Sequence, residues 1–304
     1  MAEAKLRPQV WEDYIGNENE KRVVRRMIAA AKTRGEQTDH VLLSGPPGLG
    51  KTAMATLILS EIDGHTKRTY GGQSSNELYS ELLMLEGGEA VFVDELHNLD
   101  IATQDLFQVA MEGQSLGGEG SMVPWTLVGA TTKLGKIPAP IRDRFGLTLH
   151  LNYYPAEDIS KIVVHSGQRL DMEVRPKAAD EVAERARGVP RIANRLLRRV
   201  RDVYDSPTPK QVDSVLVELG VDSWGFEACD RALLMLVYER FEGGPIGLRT
   251  LAAAYGIDER TLAEGYEPYL VRTGVLDITD RGRKLGVNGW VYCKQVAARL
   301  GLRS

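Results

Sequence analysis

Cysteine is nearly absent from this 304-residue chain, which holds only Cys229 and Cys293. That excludes a disulfide framework and a thiolate metal site, both of which need more cysteines at closer spacing. No apolar run approaches the roughly 20 residues a membrane-spanning helix requires, and residues 1–10 lack the apolar core of a secretory leader. Positive charge is not in excess either. Against 38 Lys and Arg stand 42 Asp and Glu, leaving a net charge of −4. A uniformly basic nucleic-acid binder is thereby excluded, and contact with a polyanion has to come from local patches. Internal repeats and low-complexity segments are also missing. What remains is the profile of a cytoplasmic, disulfide-free protein with no membrane partner, long enough for two or three domains.

One stretch organises the rest. Val41-Leu42-Leu43-Ser44 reads as a buried parallel strand, Gly45-Pro46-Pro47-Gly48-Leu49-Gly50 as a turn, and Lys51-Thr52 as the opening of a helix over Ala53 to Ile62. This is G-x-x-x-x-G-K-T with a strand before it and a helix after it. Glycines let the backbone close around a phosphate, so successive N–H groups and the helix N-terminus point at the anion. Lys51 then reaches the β- and γ-phosphates of ATP, and the Thr52 hydroxyl ligates Mg²⁺. The bland rival, a Gly-Pro turn that happens to precede a helix, does not explain why all three parts fall in register.

Ala90-Val91-Phe92-Val93-Asp94-Glu95 is a second apolar strand, carrying two carboxylates at its C-terminal end, where ligands gather in open α/β sheets. Asp94 is expected to hold Mg²⁺ through water and Glu95 to polarise the attacking water. Thr126 to Thr132 is a third buried strand ending in hydroxyls, and Leu147 to Leu151 a fourth. Around them lie helical stretches at Glu18–Arg34, Glu77–Leu85 and Leu99–Met111, with a polar loop after Ile62. Apolar strands alternating with helices predict an α/β fold with a three-layer parallel sheet.

Tyr153 to Asp205 reads as all helix. Within it, Ile192, Leu196, Val200 and Val203 recur at helical spacing and leave the arginines of the 190–201 run on the other faces. Pro190 and Gly188 fix Arg191 at a helix start. From about Trp224 a third unit begins. Thr250–Tyr255 and Glu259–Tyr269 look like the two helices of a helix-turn-helix, followed by strand, turn and strand over Gly274 to Arg283. Arg281 to Ser304 holds six Lys and Arg and no acid, the best local sign of a phosphate-contacting surface.

With these motifs in place the chain resembles the RuvB family of AAA+ motors, almost end to end. The resemblance rests on Leu6-Arg7-Pro8, Gly45 to Thr52, Asp94-Glu95-Leu96-His97, Gly129 to Thr132, Arg142 to Gly146, Pro190 to Asp202, Gly243 to Leu248 and Glu267 to Leu270. It implies an AAA+ P-loop NTPase domain over 1–153, an all-helical lid over 154–223 and a winged-helix DNA-binding domain over 224–304. It implies a homo-hexameric ring that hydrolyses ATP with Mg²⁺ and pulls duplex DNA to drive branch migration of Holliday junctions in recombination, repair and the SOS response. Nucleotide contacts then fall on Gly45, Pro47, Gly48, Gly50, Lys51, Thr52 and Ala53. On the adenine side they fall on Leu6, Arg7, Tyr14, Ile15 and Tyr154. Thr52 and Asp94 are the metal residues, Thr132 is sensor-1, Arg144 an arginine finger acting in trans, and Arg191 sensor-2. Arg281 and Arg283 are the DNA contacts.

Two departures stand out. The hairpin that docks RuvA in the family shrinks here to Gly113–Pro124, with four glycines and only Leu116, Met122 and Val123 as sizeable apolar side chains. Full burial of one such side chain is worth roughly 1.5–3 kcal/mol, against an association cost of about 4–15 kcal/mol, so a RuvA-like partner is expected to bind poorly. In the wing, Ile278 occupies a place where the family carries an arginine. Two other readings stand beside the translocase: an AAA+ loader or remodeller whose third domain binds a protein, and a non-enzymatic nucleotide switch. Glu95 together with Arg144 argues against the switch, which has little use for water activation.

Overall fold

The computed structural model describes residues 5–62, 66–70, 75–113, 123–299 and 301. By internal packing the chain divides into two compact units, Met1–Pro209 and Lys210–Ser304. In the first unit, helix α1 (Glu18–Arg34) is stopped by Gly35 in the left-handed conformation, with φ of 67°. It leads into strand β1 (Val41–Ser44) and helix α2 (Lys51–Glu61). Strand β2 (Thr66–Tyr70), helix α3 (Ser75–Leu83) and strand β3 (Ala90–Asp94) follow. Helix α4 (Ile101–Met111) is capped by Asp100, whose carboxylate accepts from the Thr103 N–H at 2.7 Å. Strand β4 (Thr126–Thr131), short helix α5 (Ala139–Arg142) and strand β5 (Leu147–His150) complete the sheet domain. Three helices follow, α6 (Ala156–Arg169), α7 (Pro176–Arg185) and α8 (Pro190–Arg201), within the stretch expected to be the lid.

All five strands are parallel, in the order β2-β3-β4-β1-β5. Central β1 and β4 are buried at every position, which is why their sequences are apolar without alternation. Strand β2 corrects the polar loop expected after Ile62. Its Thr-Lys-Arg-Thr-Tyr sequence has no apolar run because it lies at the sheet edge, where only one side is paired. Because β1, β3 and β4 are adjacent and parallel, their C-terminal ends open on the same rim. Among the described residues no helix is long and apolar enough to cross a membrane. Most of the shortened hairpin segment, residues 114–122, lies outside the described residues.

One core contact makes a measurable prediction. His40, just before β1, accepts the Leu127 N–H at Nδ1 (2.8 Å), and its ring lies 5.2 Å from that of Trp125. Burial lowers its pKa from 6.5 to about 4, against opposing pulls from the Met111 carbonyl and Asp39. Between those two values the unfolded chain holds a proton that the folded chain refuses, so stability rises with pH through that window and is full above it. The expected loss on acidification from pH 7 to 4 is up to roughly 3 kcal/mol from this group. Urea unfolding followed by tryptophan fluorescence at stepped pH measures it. His40→Asn, which keeps an acceptor without titrating, should flatten this part of the profile, and an unchanged profile would refute the assignment.

In the second unit, helix α9 (Pro209–Glu218) precedes α10 (Ala228–Arg240), whose N-terminus carries a reciprocal cap between Glu227 and Asp230. Helix α11 (Leu248–Tyr255) ends at Gly256. The second helix of the pair starts at α12 (Glu259–Thr261), widens into a π turn at Leu262–Tyr266 and continues as α13 (Glu267–Arg272). Strands β6 (Leu276–Thr279) and β7 (Gly282–Leu285) form the antiparallel wing, and α14 (Val287–Arg299) closes the unit. Ile246 adds a backbone bridge to Arg283, with both N–H···O bonds at 2.7 Å. Phe226 is wholly buried among the rings of Trp224, Tyr269 and Tyr292.

Candidate functional site

The loop between β1 and α2 passes close to its neighbours at its glycines. A Cβ at Gly48 would come within 2.8 Å of Val189 Cγ1 and 3.0 Å of Arg191 Cβ. Gly48 and Gly50 also sit at φ of 81° and 95°, where other residues are strained. Lys51, at the first position of α2, donates from Nζ to the Gly45 carbonyl (2.7 Å) and the Pro46 carbonyl (2.9 Å). Burial lowers its pKa, while Glu95 and Asp94 pull it back toward the charged form. The cation is therefore held inside the loop and opposite two carboxylates.

Thr52 Oγ1 donates to Asp94 Oδ2 at 2.9 Å, joining the start of α2 to the end of β3. That pair sets a hydroxyl that would ligate Mg²⁺ beside a carboxylate that would hold the ion through water. Among the described residues no cluster of three or more His, Cys, Asp or Glu could hold a metal by itself. A hydroxyl and one carboxylate fit Mg²⁺, which usually takes few protein ligands and completes its shell with phosphate and water.

Glu95 sits one residue beyond β3 at φ of 49°, the left-handed region that a non-glycine residue seldom occupies. Its Oε2 accepts from Thr132 Oγ1 (2.9 Å) and from the Thr132 N–H (3.2 Å). His97 Nδ1 stands 3.2 Å from the same oxygen and 3.0 Å from Thr131 Oγ1. One carboxylate oxygen is thus fixed by the end of β4, and the whole group faces the rim that holds Lys51.

The cleft that begins at Lys51, Thr52, Asp94 and Glu95 runs outward between the N-terminal arm and the lid, with an empty volume of about 1200 Å³, open solvent included. Of the residues expected there, Leu6, Arg7, Tyr14, Ile15, Pro47, Gly48, Gly50, Ala53, Tyr154 and Arg191 line it together. Tyr154 OH donates to the Leu49 carbonyl (3.2 Å) and accepts from Asn17 Nδ2 (2.7 Å), locking the arm, the loop and the lid start to one another. Burial pushes the Tyr154 phenol up to about 12, so it stays a neutral donor. The Arg191 N–H donates to the Gly48 carbonyl at 3.3 Å, seating the start of α8 on the phosphate loop. Gly45 and Thr132 do not line the cleft, and Thr132 reaches it only through Glu95. Arg144 does not line it either; its guanidinium forms an ion pair with Glu112 at the end of α4. Asp13, Ile162, His165, Ser166, Arg169, Asn194 and Arg198 also line the cleft, beyond the site residues expected from the sequence. For the last two a signal existed in helical spacing from Arg191; for the others no local pattern marks them.

In the wing the two expected arginines differ. Arg281, at the β6–β7 turn, is exposed. Arg283 is only 17% exposed and donates from Nε and Nη2 to the two oxygens of Glu267, at 2.6 and 3.0 Å. The Glu267 hydrogen bonds raise the Arg283 pKa, and the pair ties the wing to α13. Arg283 therefore helps hold the wing's framework together, while Arg281 is held by no such pair in the described structure. Ile278, opposite Arg283 in register, is 53% exposed. On the preceding helix Glu259 and Glu264 are exposed as well.

Comparison with known proteins agrees along the whole length. The family model for the Holliday junction DNA helicase RuvB P-loop domain matches residues 6–151, that for the RuvB AAA lid domain 154–225, and that for the RuvB C-terminal winged helix domain 223–294. The Holliday junction branch migration complex subunit RuvB of Kosmotoga olearia is 42% identical over 296 residues, covering 91% of this chain and 86% of that protein. Its counterpart in Lacticaseibacillus casei is 41% identical over 308 residues, covering 95% and 91%. The structure of the Thermotoga maritima RuvB Holliday junction branch migration motor superposes with a TM-score of 0.86 at 39% identity, covering 95% of this chain and 98% of that one. A nucleotide-binding P-loop domain, a lid and a winged helix, each matched in order, place this chain in the RuvB family.

Proposed function

We propose that this protein is an ATP-driven motor that works in the cytoplasm on branched duplex DNA, moving Holliday junctions as a homo-hexameric ring. The observation that carries the reading is the convergence of Lys51, Thr52, Asp94 and Glu95 at one rim of the sheet, opposite Arg191 of the lid. Residues 1–153 then bind and hydrolyse ATP, 154–223 form the lid, and 224–304 meet DNA. Lys51 and the loop N–H groups hold the β- and γ-phosphates, while Thr52 and Asp94 hold Mg²⁺. The metal, when bound, neutralises charge shared between the β- and γ-phosphates. Glu95, oriented by Thr132, takes the proton of the attacking water. Arg191, which lines the cleft from the start of α8, would answer to the phosphates with its guanidinium and so couple them to the lid.

Branch migration of a synthetic four-way junction, with ATPase activity measured in parallel, tests the reading; a junction left unmoved while ATP is consumed would sink it. One observation favours the second reading, an AAA+ loader whose third domain binds a protein. The wing commits Arg283 internally, and the preceding helix presents Glu259 beside an Arg260–Glu264 pair that is neutral overall. Salt-sensitive stimulation of ATPase by duplex DNA separates the two, since only the translocase needs it.

DNA contact is assigned to Arg281 rather than Arg283. Arg281→Ala should weaken duplex binding regardless of sequence and make the salt slope shallower by about one unit. Ile278→Arg should do the opposite, steepening the slope at an exposed place on the same hairpin. Fluorescence anisotropy across a salt series reads both, and slopes unmoved by either change would place the DNA site off the wing. The curated relatives are named as subunits of a complex; for this chain a typical RuvA is expected to bind weakly. Calorimetry decides it, sub-micromolar binding abolished by Leu116→Ala being the contrary result.

A further inference from the structure

We propose that Arg169, with Asp13 and His165, is a clasp that builds the base-binding half of the nucleotide cleft by holding the N-terminal arm against the lid. The inference rests on the nucleotide-site reading above and adds positioning residues to it.

Between Leu6 and Gly16 the arm's regular structure is the single turn Trp11–Asp13, whose backbone bonds are local. Side chains therefore decide where it lies. On the sheet-domain side Trp11 Nε1 donates to Glu61 Oε2 of α2 (2.5 Å) and Lys21 Nζ donates to the Tyr14 carbonyl (2.6 Å). On the lid side Tyr154 holds the end of the arm at Asn17 (2.7 Å), and the segment before it is held by Arg169, in the last turn of α6. Its Nη1 donates to the Arg7 carbonyl at 2.7 Å and its Nη2 to Asp13 Oδ2 at 2.5 Å. One guanidinium thus grips both ends of the segment from Arg7 to Asp13 and holds it curled. One helical turn earlier, His165 Nε2 stands 3.4 Å from the other Asp13 oxygen, and the Gln9 N–H donates to Oδ2 at 3.2 Å. Arg169 and Asp13 are each 21% exposed, so the pair is partly desolvated and unlike a surface ion pair.

Asp13, His165 and Arg169 line the cleft beyond its phosphate end. The slot for the base has one wall on the arm and the other on the lid. A ligand that had to assemble those walls would spend affinity on ordering them, whereas pre-set walls spare that cost. The hydrolytic groups Lys51, Glu95 and Thr132 stand at the start of α2 and just beyond the ends of β3 and β4, and their hydrogen bonds do not run to the clasp. Loss of the clasp should therefore raise Kd and KM and spare kcat. A planar fork can satisfy two acceptors at once and a point charge cannot, so lysine should restore part of the function and not all of it.

The test measures the Kd of a fluorescent ADP, the steady-state KM and kcat for ATP, and the nucleotide-free melting temperature, on the full chain. Arg169→Ala should raise Kd and KM about tenfold or more with kcat within twofold of the parent. Arg169→Lys should recover part of that loss. Asp13→Asn, nearly isosteric, should raise Kd in the same direction and serves as the deciding variant if Arg169→Ala does not fold. A Kd within twofold of the parent in the folded variants overturns the clasp. So does a fall in kcat that matches the fall in kcat/KM. If the parent itself bound no ADP, the nucleotide-site reading would fail and the clasp with it; a parent that binds ADP while the variants bind equally well sinks the clasp alone.

Discussion

Glu95→Gln is expected to stop steady-state ATP hydrolysis while leaving nucleotide affinity close to that of the parent. An amide is nearly isosteric with the carboxylate, so Thr132 keeps an acceptor at the place where it now donates to Oε2 at 2.9 Å. Lys51, Thr52 and Asp94, which hold phosphate and metal in the proposed site, are untouched. What the substitution removes is a group that can take a proton from water, and general-base catalysis of that kind contributes roughly 10²–10⁴ in rate. Lys51→Ala should behave differently, because it deletes the charge opposite the phosphates and so weakens binding itself. Titration with a fluorescent nucleotide alongside a phosphate-release assay separates the two variants. Turnover by Glu95→Gln at the parental rate would remove Glu95 from the mechanism.

Arg144→Ala should be inactive alone and regain activity when mixed with Lys51→Ala subunits. Arg144 does not line the cleft of its own chain, where an arginine acting in cis would have to be. It follows α5 and pairs instead with Glu112. In the proposed ring its guanidinium would leave that pair for the phosphates of a neighbouring subunit, where an arginine finger is worth about 10³–10⁵ in rate. Each mutant lacks what the other supplies: one the finger, the other the intact pocket. Rings demonstrably mixed but showing no rescue would make Arg144 a purely structural residue. Glu112→Gln gives a second reading of the same idea. Releasing Arg144 from its resting partner should raise activity or leave it unchanged, whereas a loss as large as that of Arg144→Ala would show that the ion pair itself is what matters.

The phosphate half of the site was legible because it is local. Gly45 to Thr52 is contiguous, and Asp94-Glu95 ends an apolar strand, so chain order and strand polarity alone carry them to one rim. The base half was harder to read. Leu6, Arg7, Tyr14, Ile15 and Tyr154 came from resemblance, while Asp13 and Arg169, 156 residues apart, carry no pattern that links them. Strand β2 escaped notice for a related reason. Periodicity reports burial, and an edge strand made of Thr66, Lys67, Arg68, Thr69 and Tyr70 has no apolar run to show. The π turn at Leu262–Tyr266 leaves no mark in the sequence, since apolar spacing does not distinguish a ladder widened by one residue.

By itself the sequence determined the class of the molecule. Buried strands alternating with helices leave a parallel sheet as the way to satisfy every backbone group, and glycines followed by Lys51 and Thr52 leave little but a phosphate cradle. Only the tertiary structure decided what each charge is for. Arg281 and Arg283 are two residues apart in one basic stretch, yet one is exposed and the other is bound by a buried Glu267. Arg169 sits in a lid helix and grips an arm from the opposite end of the domain. A charged side chain takes its role from the acceptors within hydrogen-bond reach, and that reach is set by folding, not by distance along the chain.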